Sequence, residues 1–231
     1  GYKAMTDFTL VMGNRASSSW SLRGWLALKR TGVPFDEVMV WFKRPDIKEQ
    51  ILAHSPSGLV PVLKHQSQDG DLLIWETLAT IEYLAELYPG AGLWPERRDA
   101  RAVARAVSAE MHGGFGPLRN HMPMDLQNQW PGEGQEKIKQ EGVAENIKRI
   151  TDIWEDCRER FGGGKDGGDF LFGSFTGADI MFAPVVTRFH TYGVSLSPVC
   201  RAYTEAVSNM PEMQEWTEGA LAEPPPGEVP A

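Results

Sequence analysis

The chain is short of cysteine. It has two in 231 residues, Cys157 and Cys200, far apart and without metal-ligand spacing. That rules out a disulfide framework and a thiolate zinc site, and it fits a reduced, cytoplasmic protein. No apolar run approaches the roughly 18–20 residues of a membrane-spanning helix, so no membrane partner is expected. No basic block is present and the net charge is −8, which disfavours nucleic acid and anionic lipid as partners. No signal peptide opens the sequence, and Gly1 to Ala4, ahead of Met5, reads as an expression scar. Internal repeats, a Ser/His/Asp order and a phosphate loop are missing as well, and no metal site is expected.

What the chain has is an ordinary apolar content, 42%, and eight tryptophans. Phe8 to Met12 is a short apolar run ending at Gly13-Asn14, the pattern of a buried strand. Leu22, Trp25 and Leu26 then recur at helical spacing behind Ser17, Ser18 and Ser19. Serine is favoured at helix N-caps, and Gly32 and Pro34 are stop signals. A strand is expected over Phe35 to Trp41, a short helix over Asp46 to Ala53, and strands over Val60 to Lys64 and Leu72 to Trp75. The polar turn Gln66 to Asp71 is too short for anything but an antiparallel pair. Glu76-Thr77 opens a helix with Leu78, Ile81 and Leu84 on one face, stopped by Pro89-Gly90. This order predicts a four-stranded mixed sheet whose first and third strands are parallel neighbours.

Strand patterns vanish after about residue 96, and Leu93-Trp94-Pro95 reads as a linker. Two domains are therefore expected, one over 6–90 and an all-helical one over 96–222, with a proline-rich tail over 223–231 that need not be ordered. The fold class is α/β followed by all-α. Arg97 to about Phe115 is a long helix stepping through Val103, Val107 and Met111, bent or ended by Gly113-Gly114 and Pro117. Glu133 to Phe161 is another, with Ile147, Ile150, Trp154, Cys157 and Phe161 on one stripe; Cys157 there reads as an inert core thiol. Gly162 to Gly168 is a flexible loop, and two or three shorter helices follow. Thr176 and Asp179 have capping-box spacing, with Phe175 and Ile180 at staple positions, and the pair is read as structural.

Three stretches can carry chemistry. Ser17, Ser18 and Ser19 stand at a helix start just after the first strand. Pro61 stands at the mouth of an apolar strand, where a residue without an N–H is normally barred. Two arrangements fit it: a trans proline at a strand start, or a cis Val60–Pro61 bond that turns the N–H and C=O of Val60 outward, towards an extended peptide. Glu76-Thr77 begins the helix after the fourth strand. All three meet at one end of a small sheet. Thr77 and the free N–H groups beside it suit a carboxylate, Glu76 an ammonium, Val60 a peptide backbone and the serines a sulfur. Glutathione carries all four groups. Serines before a helix also serve as plain caps, and Glu76 can simply favour the helix dipole. Lys43 and His54 would neutralise the glycyl carboxylate, or are surface residues. Met111, His112, Phe115 and Trp130 are candidates for an electrophile pocket, although core packing or surface exposure is the preferred reading of these four.

The ordered set Ser17-Ser18-Ser19-Trp20-Ser21-Leu22-Arg23, Ser57-Gly58-Leu59-Val60-Pro61-Val62-Leu63, Trp75-Glu76-Thr77-Leu78-Ala79-Thr80-Ile81 and Thr176-Gly177-Ala178-Asp179 resembles the cytosolic glutathione transferases over nearly the whole chain. The serine-rich loop is similar to the bacterial, zeta and maleylacetoacetate-isomerase-like branch. The resemblance implies a thioredoxin-like N-terminal domain, a helical C-terminal domain, a cis Pro61 and a homodimer. It implies glutathione as co-substrate, with its γ-glutamyl end on Glu76-Thr77. It implies an enzyme that stabilises the glutathione thiolate and adds it to a small hydrophobic electrophile, or uses it to isomerise one. A non-catalytic ligand-binding module of the same fold is the alternative. The sequence departs from the family pattern in three places. Ala16 stands where zeta-type members carry the activating serine after an arginine, which leaves the hydroxyl to Ser17 or Ser18. Thr77 replaces the usual serine, and Leu59 replaces a residue that is often polar. Ser17 is expected as the donor and Ser19 as the helix cap.

Overall fold

A computed structural model describes residues 6–163, 167–225 and 228. Residues 1–5, 226–227 and 229–231 and Gly164, Lys165 and Asp166 of the glycine loop lie outside the described residues, and with them the expected scar and part of the expected tail. The N-terminal part runs β1 (Phe8–Gly13), α1 (Ser19–Thr31), β2 (Asp36–Val40), α2 (Ile47–His54), β3 (Val62–Ser67), β4 (Gly70–Trp75) and α3 (Thr77–Leu87). The strands form one four-stranded mixed sheet in the order β2-β1-β3-β4. Alternation along β1 splits the core, as a pleated strand requires. Phe8, Leu10 and Met12 face Leu22, Trp25 and Leu26 of α1 and Ile81 and Leu84 of α3. Val11 faces the other way, with Val40, Val62 and, from α2, Ile47 and Ile51.

The expected parallel pairing of the first and third strands is wrong. β1 is parallel to β2 and antiparallel to β3. The register supplies the reason. β2 ends with Val40 opposite Gly13, and β3 begins with Val62 opposite Val11. The chain therefore leaves and re-enters the sheet at the same end, and α2 never carries it back along the strands. A parallel pair needs that return, as α1 provides between β1 and β2.

Beyond β4 and α3 the named elements are helices: α4 (Arg98–Gly113), α5 (Gly116–His121), α6 (Pro131–Lys137), α7 (Val143–Phe161), α8 (Gly177–Thr191), α9 (Pro198–Ser208) and α10 (Pro211–Ala222). The long helix expected over 133–161 is two helices. Gly142 has φ +84°, a left-handed conformation that ends one helical path and lets another begin. The stripe expected on the second of them holds: Ile147, Ile150, Trp154 and Cys157 are buried. Trp154 meets Phe182, Phe189 and Tyr203 edge-on or tilted. Burial pushes the Cys157 thiol up to about 12, so it stays protonated and inert.

One core runs through both parts, because α1 packs on α3 on one side and on α8 on the other. Among the described residues no helix is long and apolar enough to cross a membrane.

Candidate functional site

The register gathers the three stretches. Val62 pairs with Val11 on β1 and with Trp75 on β4. The loop after β1, the approach to β3 and the exit from β4 thus share one end of the sheet. The Val60–Pro61 bond is cis. Pro61 is buried against α1, where a side chain at Gly24 would stand 2.9 Å from its ring; only glycine permits that approach. Val60 lies just outside the ladder, and its backbone groups find no partner among the described residues.

At the exit from β4, Glu76 holds φ +67° and ψ 124°. A left-handed conformation is uncommon for a residue with a Cβ and costs about 1–3 kcal/mol, and such residues cluster at functional sites. Its carboxylate reaches His112 Nε2 at 3.1 Å. Thr77, the first residue of α3, is 2% exposed, and its hydroxyl has no partner among the described residues. An unpaired buried hydroxyl costs about 1–3 kcal/mol, so this one calls for a ligand.

The serines differ from one another. Ser17 is exposed and accepts a hydrogen bond from Asn14 Nδ2 at 2.9 Å, which leaves its own O–H free to donate. Ser18 is buried and donates to Ser21 Oγ at 2.6 Å. The expected cap at Ser19 is displaced by one residue. Ser18 is the N-cap, and its side chain accepts no capping bond from a backbone N–H of the helix; Ser19 is the first helical residue. Its hydroxyl accepts from Arg188 Nη2 at 3.4 Å.

Other candidates are placed differently. Lys43 and His54 flank α2 on the exposed surface. Met111 is fully buried and Phe115 nearly so, which fits the core-packing reading of both and not an open pocket. His112 instead comes to the corner, with its ring 5.0 Å from that of Trp20. Trp130 is exposed and donates through Nε1 to Asp125 at 2.9 Å. A groove of about 1150 Å³ elsewhere, lined by Asp125, His190, Arg201 and Thr217 among others, includes none of the corner residues.

The sequence reading missed two features. The loop ahead of the serines is gripped from the far end of the chain: Arg15 N–H and Ala16 N–H donate to the Glu223 carboxylate at 2.7 and 2.8 Å. Trp216 Nε1 donates to Arg15 O at 3.0 Å. Glu223 thus clamps the loop, although the sequence assigned it to the tail. Behind Ser19 lie three arginines, Arg23, Arg119 and Arg188, of which Arg23 and Arg188 are buried. The available signal was a charged residue inside an apolar helix, as Arg188 is between Ile180 and Phe189.

Residues 17–87 match the family model described as glutathione S-transferase, N-terminal domain, and residues 136–218 match the one described as glutathione S-transferase, C-terminal domain. The maleylacetoacetate isomerase of Pseudomonas aeruginosa is 30% identical over 189 residues, covering 79% of this chain and 81% of that protein. A probable maleylacetoacetate isomerase of Caenorhabditis elegans is 28% identical over 184 residues, covering 80% and 79%. Among solved structures, a maleyl pyruvate isomerase, described as a bacterial glutathione S-transferase of the zeta class, superposes with a TM-score of 0.67 at 24% identity. It covers 92% of this chain and 97% of that one. A Burkholderia glutathione transferase homologue with bound glutathione superposes with a TM-score of 0.65 at 23% identity, covering 94% and 99%.

Proposed function

The chain belongs to the glutathione S-transferase family, and from that premise we propose a serine-type, glutathione-dependent enzyme that works at the sheet-end corner. Thr77 and the open N–H groups of α3 take the γ-glutamyl carboxylate, and Glu76 takes its ammonium. Val60 pairs with the cysteinyl backbone, and Ser17 donates to the sulfur. Residues 6–90 form the glutathione domain, and residues 96–222 supply the wall that faces the electrophile. Lys43 and His54 stand on the side of the glycyl carboxylate. The relatives named maleylacetoacetate isomerase favour isomerisation of a small unsaturated acid, with thiolate addition to other electrophiles as the same chemistry stopped halfway. The protein works in the cytoplasm as a homodimer, and sedimentation equilibrium reads that directly: a mass fixed at 25.7 kDa at every concentration would discard the dimer.

The chemistry follows from small terms. A free cysteine thiol titrates near ~8.5. A helix N-terminus is worth up to ~2 kcal/mol to an adjacent anion in a partly buried site, or about 1.5 pKa units at 1.36 kcal/mol per unit. One hydroxyl donating to a charged acceptor adds about 1.5–3 kcal/mol before desolvation is subtracted. Together they give a thiolate near neutral pH, with serine as donor and not as base. The thiolate adds to an electron-poor double bond. Collapse of the adduct after rotation returns the isomer, and protonation of the adduct gives a conjugate.

The observation that carries this reading is the Thr77 hydroxyl, buried and unpartnered at a helix start. Calorimetry with glutathione tests it. Thr77→Val and Glu76→Ala should each weaken binding by about 1–3 kcal/mol, the cost of leaving a ligand group unpaired. Unchanged affinity in both variants would move glutathione elsewhere, and binding without turnover in a broad electrophile screen would leave a ligand-binding module.

A further inference from the structure

Arg23 projects from α1, Arg119 from α5 and Arg188 from α8. The Arg23 guanidinium carbon lies 4.2 Å from the centre of the Trp20 ring, and that of Arg119 lies 4.6 Å from it. Arg188 reaches Ser19, the neighbour of Trp20, through Nη2. Arg23 is 0% exposed and Arg188 4%. Two cations therefore stack on one tryptophan, and a third reaches its chain neighbour, where α1 of the sheet domain meets α5 and α8.

Their hydrogen bonds do not satisfy them. Arg23 gives Nε to Met181 O at 2.8 Å, but Nη1 and Nη2 have no partner. Arg119 Nη2 donates to Met111 O and His112 O, and its Nε is unpaired. Nε and Nη1 of Arg188 are unpaired too. Among the described residues no carboxylate forms an ion pair with any of the three. The nearby ring of Trp20 offsets only part of this charge, because a cation over a ring face is weaker than a paired charge. Burial holds the Arg188 guanidinium down at about 10, and the other cations of the cluster add to that fall for Arg23 and Arg188. A guanidinium nevertheless stays protonated in proteins, so neutralisation is not open to it.

We propose that Arg23, Arg119 and Arg188 form an anion site beside Trp20 that takes a carboxylate. Both terminal nitrogens of Arg23 are free, and that planar fork matches the two oxygens of a carboxylate. Arg119 and Arg188 supply the remaining donors. Two sources offer this group: a free small acid, and the carboxylate of an acidic electrophile held next to the serine loop. The proposal does not rest on glutathione chemistry, and its test leaves glutathione out.

The test is calorimetry and thermal unfolding of glutathione-free protein titrated with acetate and with maleate, in parallel with acetamide and maleamide as neutral shapes. The wild type should bind the acids and be stabilised by them saturably, and should ignore the amides. Arg188→Met and, at a half-buried position, Arg119→Met should each weaken acid binding about tenfold or more, the worth of one charge-assisted hydrogen bond. Without acid, Arg188→Met should melt no lower than the wild type, because an unneutralised buried cation has been removed. Saturation by acetate marks the free acid as occupant; saturation by maleate alone marks the electrophile. Equal response of wild type and Arg119→Met to both acids, or equal stabilisation by the amides, would overturn the site.

Discussion

At the start of α8 every donor is spoken for. Thr176 Oγ1 accepts from Ala178 N–H at 3.3 Å. The Asp179 carboxylate accepts from Thr176 N–H at 2.8 Å, from Leu171 N–H at 3.2 Å and from Tyr203 O–H at 2.8 Å. At the start of α3 the opposite holds. Glu76 turns its carboxylate away to His112, and the Thr77 hydroxyl is buried with nothing to bond. The start of α1 resembles α3 in that its serine cap takes no bond from a backbone N–H of the helix. An orphaned polar group costs too much to persist for no reason. The closed terminus is therefore a structural joint, and the open ones are where we propose the ligand sits.

The sharpest break of this contrast is Asp179→Ala. It orphans three donors at about 1–3 kcal/mol each. Against that, it removes a carboxylate whose burial pushes its pKa up to about 6, which relieves about 3 kcal/mol at neutral pH. Three donors at about 1–3 kcal/mol less about 3 kcal/mol leave a loss of up to about 6 kcal/mol, centred near 3, read by denaturant unfolding, with glutathione affinity unchanged in the folded fraction. A loss below about 0.5 kcal/mol, the range of an ordinary surface change, would mean that the box is ornamental.

The same group predicts a pH dependence. Its folded pKa is raised from 3.8 to about 6, so the folded state holds the proton more tightly than the unfolded one. Its contribution to stability is therefore highest below pH 3.8 and falls as pH rises to about 6. Relative to Asp179→Asn, the wild type should lose about 3 kcal/mol across that window and nothing above it. A flat difference would place the carboxylate in a more polar setting than its burial implies.

The smallest expected effect lies at the open terminus of α1. Ser17→Ala should raise the pKa of bound glutathione by about 1–2 units, the worth of one hydrogen bond to a charged acceptor. Ser18→Ala should move it less, because the Ser18 hydroxyl is already given to Ser21. Ultraviolet titration of the bound thiolate reads both. Equal shifts, or no shift in the double variant, would pass the role to the backbone N–H groups of α1.

Much of the corner was legible because its signals are local. A proline at a strand mouth, a Glu-Thr pair after a strand and a run of serines before a helix can each be read within a few residues. So can the Thr176–Asp179 box, a device of three-residue spacing. The direction of β3 was not legible, because it depends on which end of the sheet the chain re-enters and not on the composition of α2. The break at Gly142 was hidden inside an otherwise helical pattern. For Met111 and Phe115 the sequence left pocket and core both open, because burial depends on what packs against a helix and not on its own residues; both are core residues.

By itself the sequence determined which segments bury which faces, where helices start and stop, and which hydroxyls, carboxylates and backbone groups are offered at one end of a sheet. Those are properties of neighbouring residues, and side-chain periodicity and cap chemistry carry them. Tertiary structure alone decided the rest. It brought Arg23 and Arg119 onto Trp20 and Arg188 onto its neighbour Ser19, carried Glu223 back to the loop at Arg15, and set His112 against Glu76. Each of these joins residues far apart in sequence, and no local pattern specifies a contact that exists only once helices have packed on both sides of α1.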